Sequence, residues 1–282
     1  DLGRLLADLD LGSAAQRLAD AIAEAPAAWT AGLAPVLETA PPALAAETLR
    51  RLSARSGASA GWLPLLRQLA DAAGDPGAYQ ATFTHKELLD PSAAAEVAQR
   101  LLAAGRIAEA ATLLESARPG ASRGAAGRGK PAEPDFDWET AWIEVLERSG
   151  RTQEAQAARW ASFERTLSSA RARDFTKRLA DFADVEAESR AFAHAAAHPD
   201  FEAALRFLME WPALADAARL IQARSDEISI AADEAELWAA KLRGRQPAAA
   251  ELLLRKAAAA AFRRRDFATC DRLTAEADAL DS

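Results

Sequence analysis

The sequence predicts an all-α protein, built as a right-handed α-solenoid of stacked helical hairpins, on three observations. Apolar residues recur at the three- and four-residue spacing of a single helix face. No segment shows the alternation of Val, Ile or Thr with polar residues that is typical of a strand. One helix-turn-helix pattern recurs along the chain. A single hairpin leaves an apolar face exposed, and stacking of hairpins buries that face. We therefore expect about fifteen helices, arranged in pairs.

The N-terminal residues 1–117 have the pattern of helical repeats separated by prolines and glycines. Ser13 is predicted to cap the helix that follows it. Pro41-Pro42 ends one helix and starts the next, and Gly74 to Gly77 closes a further helix. This alternation of helices and breakers predicts hairpins rather than one long helix.

A possible catalytic motif lies between two of these helices. Gly57 to Gly61 spell G-x-S-x-G around Ser59, which is the nucleophile elbow of α/β-hydrolases. That motif needs a strand before it, whereas the pattern here predicts a helix. The sequence therefore favours a turn of small residues over a hydrolase site.

The clearest hairpin is the segment from Trp138 to Leu167. Both of its helices carry an apolar stripe: Trp138, Trp142 and Val145 in the first, and Trp160, Phe163 and Leu167 in the second. Gly150 can adopt the left-handed conformation that ends a helix, and Thr152 can cap the next one. We expect the two stripes to close on each other as an αα-hairpin.

The same turn pattern occurs earlier in the chain. Gly-Arg-x-x-Glu-Ala begins at Gly105 and again at Gly150. Such turns are typical of tetratricopeptide-like or HEAT-like helical arrays. They indicate the architecture and carry no information about activity.

Residues 118–135 are predicted to form a flexible Gly/Arg-rich loop. Their low-complexity composition separates the repeats at 1–117 from C-terminal repeats at 136–282, and we expect both sets to belong to one continuous solenoid.

Part of this loop has the spacing of a phosphate-binding P-loop, at Gly124, Gly129 and Lys130. Pro131 stands where that motif has Ser or Thr, and no strand precedes the segment. A plain loop is favoured over phosphate binding and over a weak contact with RNA or an acidic partner.

The C-terminal repeats continue the helical spacing of apolar residues, at Phe175, Leu179, Phe182, Val185, Phe192 and Ala196. Near the end, Arg263 to Arg265 join two helices by a short polar turn, and their charge suits a helix C-terminus. We expect Cys270 to be a small buried residue; the alternative is a reactive thiol.

Two groups of side chains could bind a metal ion. One is the acidic run of Asp181, Asp184, Glu186 and Glu188, for which a solvated helix start is the favoured interpretation. The other is His194 and His198, at the i, i+4 spacing of a zinc pair. Alanine follows His194, so the H-E-x-x-H base is missing, and no third ligand lies nearby in sequence. We therefore predict no metal site and no cofactor.

Composition restricts the classes of function. The formal net charge of −8 argues against binding to nucleic acid or to an anionic membrane. No apolar run approaches the roughly 20 residues of a membrane span. A single cysteine excludes an intrachain disulfide and suits the cytoplasm. Because the chain opens with Asp1 rather than Met, we expect a fragment or a processed chain.

Three segments carry a resemblance to a known family: WETAWIEVLE from Trp138, EAQAARWASFERTLS from Glu154, and DFADVEAESRA from Asp181. In these segments the chain resembles a bacterial, largely proteobacterial, family of uncharacterised all-helical proteins. The resemblance covers most of the chain from about Trp29. It implies no activity and no catalytic residues.

Together these observations predict a non-catalytic helical-repeat scaffold or adaptor that binds a protein or peptide. The candidate binding anchors are four tryptophans: Trp138, Trp142, Trp160 and Trp211. One alternative is an enzyme or a ligand- or metal-binding protein, with an interhelical pocket that uses His194, His198 or the acidic run. A second alternative is a regulator that binds nucleic acid through Arg118 to Lys130 or Arg263 to Arg265.

Overall fold

The structure, a computed structural model, describes residues 10–55, 60–119, 135–180 and 182–280. Within these ranges it contains sixteen α-helices, three short 3₁₀ segments and no strand. The all-α prediction is therefore confirmed. Gly57 to Ser59, residues 120–134 and Asp181 lie outside the described residues, so the predictions made for them stay predictions.

The chain divides into two compact units, Asp1–Ala155 (unit 1) and Gln156–Ser282 (unit 2). The described helices of unit 1 are α1 (Leu11–Glu24), α2 (Pro26–Thr39), α3 (Pro42–Arg55), α4 (Leu63–Ala73), α5 (Pro76–Gln80), α6 (Pro91–Ala103), α7 (Ile107–Ser116) and α8 (Phe136–Arg148). The next helix, α9 (Thr152–Thr166), begins in unit 1 and ends in unit 2.

Aspartates cap several helices of unit 1. The prediction that Ser13 caps α1 was wrong, because Asp10 is the cap and its Oδ1 accepts the backbone N–H of Ser13 at 3.0 Å. A carboxylate also suits the positive end of the helix dipole better than a hydroxyl does. Asp75, Asp90 and Asp135 cap α5, α6 and α8 in the same way.

The core of unit 1 is mainly aliphatic. Helix α1 packs on α3, α3 on α4, and α6 on both α7 and α8. Its fully buried leucines are Leu33, Leu44, Leu52, Leu65, Leu69, Leu101, Leu102 and Leu114. Burial of each such side chain contributes about 1.5–3 kcal/mol, so these interlocking leucines are a main source of the unit's stability.

Two turns of unit 1 have the same geometry. Gly105 and Gly150 have φ values of 74° and 75°, in the left-handed region. The residue after each glycine donates its N–H to a carbonyl five residues earlier, at 2.8 and 2.9 Å. The arginine side chains then form two-pronged ion pairs, Arg106 with Glu109 and Arg151 with Glu154. The repeated sequence pattern therefore corresponds to a repeated local structure.

The apolar stripes of the segment 138–167 contribute to the cores of the two units. Trp138 and Val145 lie in the core of unit 1, where the indole Nε1–H of Trp138 donates to the Leu114 carbonyl at 3.0 Å. Trp160 and Phe163 lie in the core of unit 2. That the two stripes close on each other as a hairpin stays a prediction. An apolar stripe shows that a face is buried and does not say which element covers it.

The remaining helices, all in unit 2, are α10 (Ser169–Thr176), α11 (Ala183–Ala197), α12 (Phe201–Glu210), α13 (Leu214–Ala223), α14 (Ala232–Leu242), α15 (Pro247–Arg263) and α16 (Phe267–Asp278). The core of this unit contains linked aromatic rings. Phe163 packs against Trp160 and Phe207, with ring centroids 5.2 and 5.0 Å apart, and Phe207 also packs against Trp211.

Unit 2 also buries two arginines. Arg159 is 1% exposed, and its Nε lies 2.6 Å from Oδ2 of Asp174. Partial burial works to raise the pKa of Asp174, but hydrogen bonds from Arg159 and Arg178 outweigh it and the pKa is lowered. Arg171 is 6% exposed, and its Nε donates to the Ser162 hydroxyl at 3.2 Å. Each buried guanidinium is therefore held by polar groups.

No helix in the described part of the chain is both long enough and apolar enough to cross a membrane.

Candidate protein-interaction surface

The four tryptophans predicted as binding anchors are largely covered. Trp138 and Trp160 are buried, at 7% and 8% exposed. Trp142 and Trp211 are half-buried: Trp142 stacks on Trp138 with centroids 5.7 Å apart, and the guanidinium of Arg173 lies 5.3 Å from the Trp211 ring. These side chains contribute to the two cores, and a contact with a partner stays a prediction for them.

The two histidines have backbone partners. Nε2 of His194 lies 2.8 Å from the carbonyl oxygen of Glu164, and Nδ1 of His198 accepts the backbone N–H of Asp200 at 3.2 Å. Among the described residues, no group of three or more His, Cys, Asp or Glu side chains is arranged to hold a metal ion. A zinc site requires three or four such ligands, and the absence of a metal site stays a prediction for this pair.

A cleft of about 240 Å³ in unit 1 is lined by Asp71, Asp75 and Arg100, with small residues around them. Arg100 pairs with Asp71 at 2.5 Å, and its guanidinium lies 3.7 Å from the centroid of the Tyr79 ring. Burial, together with a hydrogen bond to Glu96, raises the pKa of Tyr79 to about 12. Arg100 and Asp71 pair with each other and Asp75 caps α5, so the charged groups that line this cleft already have partners.

The loop between α15 and α16 exposes aromatic side chains instead of burying them. Helix α15 buries a stripe of alanines and leucines that ends at Ala261. Phe262 follows this stripe and is 60% exposed, and Phe267, the first residue of α16, is 55% exposed. The two rings meet edge to face, with centroids 5.7 Å apart and planes at 70°. The two rings therefore form one contiguous exposed apolar surface.

Three arginines separate these rings. Arg265 is in the left-handed region with φ 63°, where the corresponding turns of unit 1 have glycine. Its N–H donates to the Phe262 carbonyl at 2.9 Å, and the N–H of Asp266 donates to Ala261 at 3.0 Å, which is the pattern of the Gly150 turn. A non-glycine residue in this conformation costs about 1–3 kcal/mol.

The side chains of Arg263, Arg264 and Arg265 are exposed, and none forms an ion pair with another described residue. By contrast, Arg106, Arg151 and Arg224 each pair with a glutamate three residues later. We call residues Phe262–Phe267 the arginine turn. It combines an exposed aromatic pair with three cations that lack a carboxylate partner within the described chain.

The carboxyl group in this turn has a structural role. Asp266 Oδ1 accepts the backbone N–H of Thr269 at 3.2 Å and caps α16. The pKa of Asp266 is lowered chiefly by its hydrogen bonds with Thr269, and the charge of Arg264 makes a smaller contribution. The carboxylate is thus engaged by the helix start and leaves the guanidinium groups available.

A second exposed apolar surface lies at the start of α11. Phe182 is 87% exposed with φ 70°, and Val185, one turn later, is 62% exposed. Asp184 and Glu186 are exposed beside them. We call these four residues the Phe182 patch. The buried stripe of α11 is made of alanines, so Phe182 and Val185 do not belong to the core although their spacing continues the apolar pattern.

Sequence reasoning identified the arginines of the arginine turn but missed its two phenylalanines. The available signal was the order F-R-R-R-D-F, in which phenylalanine flanks a charged turn on both sides. Cys270, expected to be buried, is half-buried.

A family model described as a family of unknown function (DUF6880) matches residues 9–280. This confirms the resemblance to a family of uncharacterised proteins and extends it towards the N-terminus beyond Trp29. No curated protein matches the chain.

Proposed function

Because the chain belongs to the DUF6880 family, whose function is unknown, we propose that it is a non-catalytic scaffold that binds an acidic, partly apolar segment of a protein. The observation that carries this proposal is the arginine turn, with its exposed Phe262–Phe267 pair and its unpaired arginines. Aromatic and arginine side chains are enriched among the residues that contribute most to binding at protein interfaces.

The charges of the turn determine the kind of partner. A guanidinium group binds a carboxylate through two parallel hydrogen bonds, and exposed phenylalanine rings favour apolar side chains. A long polyanion such as RNA is disfavoured, because the net charge of −8 repels it as a whole. A short acidic peptide satisfies the local cations and presents far less charge to the rest of the surface.

The proposal includes the solenoid architecture and a cytoplasmic location. The matching turns at Gly105 and Gly150 support a repeated hairpin unit, and stacked hairpins offer the extended surfaces that scaffolds use. The single half-buried cysteine supports a reducing compartment.

The test is a selection of displayed random peptides on the full chain, followed by calorimetric titration of the synthetic peptides. We expect the selected peptides to combine Asp or Glu with aromatic or large aliphatic residues. The variant R263E/R264E should weaken their binding at least about tenfold, and F262S/F267S should weaken it as well.

The matched control is R243E/R245E. These two exposed arginines follow α14, and the substitution makes the same change in net charge without touching the aromatic pair. It should leave peptide binding unchanged. Selected peptides that bind R263E/R264E as tightly as the original chain would overturn the proposal, and so would binding of poly(U) RNA that depends on the same arginines.

A further inference from the structure

We infer that the acidic, apolar segment recognised by the arginine turn is present on the chain itself, at the Phe182 patch, and that copies of the protein associate head to tail. The inference rests on the proposed function, because it names a partner for the same surface. The occupant is a second copy of this chain.

The Phe182 patch has the properties that the arginine turn requires. Phe182 immediately precedes α11 and Val185 lies in its first turn, and the two side chains are 87% and 62% exposed. The buried face of that helix consists of Ala187, Ala191 and Ala195. The two apolar side chains are therefore turned away from the core and are available to another molecule.

The charges beside Phe182 are opposite to those of the arginine turn. Asp184 and Glu186 are exposed, and neither forms an ion pair within the described chain; Oδ1 of Asp184 accepts the backbone N–H of Val185 at 2.9 Å. The arginine turn has guanidinium groups without a carboxylate partner beside two phenylalanines, and the patch has carboxylates without a cationic partner beside a phenylalanine and a valine. The two surfaces thus carry opposite charges, and each has exposed apolar side chains that the other can cover.

Both surfaces belong to unit 2 and lie on different helices. Each is exposed in the structure, so within one copy they do not cover each other. A contact between the turn of one copy and the patch of the next joins two different surfaces. Such heterologous contacts produce closed rings or open chains rather than two-fold dimers.

Copies with a net charge of −8 repel each other, so their association requires salt that screens this repulsion. At about 0.15 M salt the screening length is near 8 Å, so repulsion between whole copies is largely screened. Arginine and carboxylate groups in direct contact are closer than that and still attract. Because each surface contains only a few residues, the contact is small and the association is weak and concentration-dependent.

The test is analytical ultracentrifugation of the full chain over a range from about 1 μM to about 1 mM, which spans weak association constants. We expect the average mass to rise with concentration beyond that of a dimer. R263E/R264E and D184K/E186K should each raise the dissociation constant at least about tenfold, whereas R243E/R245E should leave it unchanged. Thermal unfolding of each variant verifies that it is folded.

The variant that carries all four charge reversals is the sharpest test. D184K/E186K/R263E/R264E has the same net charge as the original chain, but each surface carries the charge of its former partner. It should regain self-association, and so should an equimolar mixture of the two double variants. An effect of net charge alone is tested by the double variants: it would weaken association in R243E/R245E as much as in R263E/R264E, and it would strengthen association in D184K/E186K, which has a smaller net negative charge.

The outcomes separate this inference from the proposed function. A chain that stays monomeric up to about 1 mM, or a quadruple variant that fails to regain association, overturns the self-association. If selected acidic peptides still bind and still require Arg263 and Arg264, the proposed function stands and only the partner was wrong. If neither peptides nor a second copy requires these arginines, both proposals fail.

Discussion

The turn at Gly150 and the turn at Arg265 have the same backbone and different chemistry. In both, a residue in the left-handed region ends one helix, and the next residue donates its N–H five residues back, at 2.9 and 3.0 Å. After Gly150, Arg151 pairs with Glu154 at 2.6 Å. At the corresponding positions after Arg265, Asp266 accepts the backbone N–H of Thr269 and caps α16. The arginines of this turn have no carboxylate partner within the described chain. One turn satisfies its own charges, and the other leaves charge and aromatic surface for another molecule.

The comparison distinguishes features that a hairpin needs from features that it does not need. The backbone hydrogen bonds are common to both turns, so the fold requires them. The unpaired arginines and the exposed rings occur in only one of the two turns. A left-handed arginine in place of glycine also has a stability cost, and the hairpin alone gives no reason for that cost. The proposed binding function accounts for these features, which the fold alone does not require.

The largest expected effect compares the aromatic residues on the helices that lead into the two turns. Trp138 on α8 is 7% exposed and hydrogen-bonded, whereas Phe262 on α15 is 60% exposed. Trp138→Ala should lower the free energy of unfolding by about 3–5 kcal/mol, since it leaves a cavity and an unsatisfied carbonyl. Phe262→Ala should change it by less than about 0.5 kcal/mol. Urea denaturation of both variants measures the difference, and equal losses would show that Phe262 is a core residue.

An intermediate effect is expected at the left-handed residues themselves. A Cβ added at Gly150 meets no atom within 4 Å, so Gly150→Ala introduces only backbone strain and should cost about 1 kcal/mol. Arg265→Gly removes the same kind of strain, but glycine loses more backbone entropy on folding, so the net stabilisation should be about 0.5–1 kcal/mol. Thermal or urea unfolding gives both values. A loss of stability in Arg265→Gly would indicate that the arginine side chain supports the fold.

Sequence patterns predicted those features of the fold that depend on near neighbours in the chain. Gly105 and Gly150 were identified as turns, because a left-handed helix end favours glycine whatever surrounds it. The partner of each apolar stripe was not predictable, because any apolar face can cover Trp160 and Phe163. Phe182 shows a further limit. Its spacing fits a helix stripe, but Phe182 lies just before α11, with a positive φ, and its side chain is outside the core.

For a similar reason, the sequence predicted the charged residues of the candidate surface but not its exposed aromatic residues. The charge of a side chain follows directly from the residue type, so Arg263 to Arg265 were recognised as a basic turn. The exposure of a phenylalanine cannot be predicted from its residue type, because Phe163 and Phe207 are buried in the core of unit 2. The buried stripe of α15, which ends at Ala261, leaves Phe262 outside the core, and this became apparent only from the packing.

The smallest expected effect concerns the carboxyl groups of the two turns. The pKa of Glu154 is lowered mainly by its hydrogen bond from Arg151, and that of Asp266 mainly by its bonds with Thr269. A lowered pKa means that each carboxylate stabilises the fold above its ordinary pKa, and that this contribution is lost as the pH falls through the lowered value. Both effects should therefore appear only in the acid range.

Removing an arginine from each turn should separate the two cases. Arg151→Ala should return the pKa of Glu154 towards its ordinary value, because the main partner is gone. Arg264→Ala should leave the pKa of Asp266 nearly unchanged, since Thr269 still binds the carboxylate. Carboxyl-carbon NMR titration from neutral pH to about pH 2 covers the range in which both groups titrate. A large shift of Asp266 in Arg264→Ala would show that Arg264 is bound within its own turn, and the contrast between the two turns would then be lost.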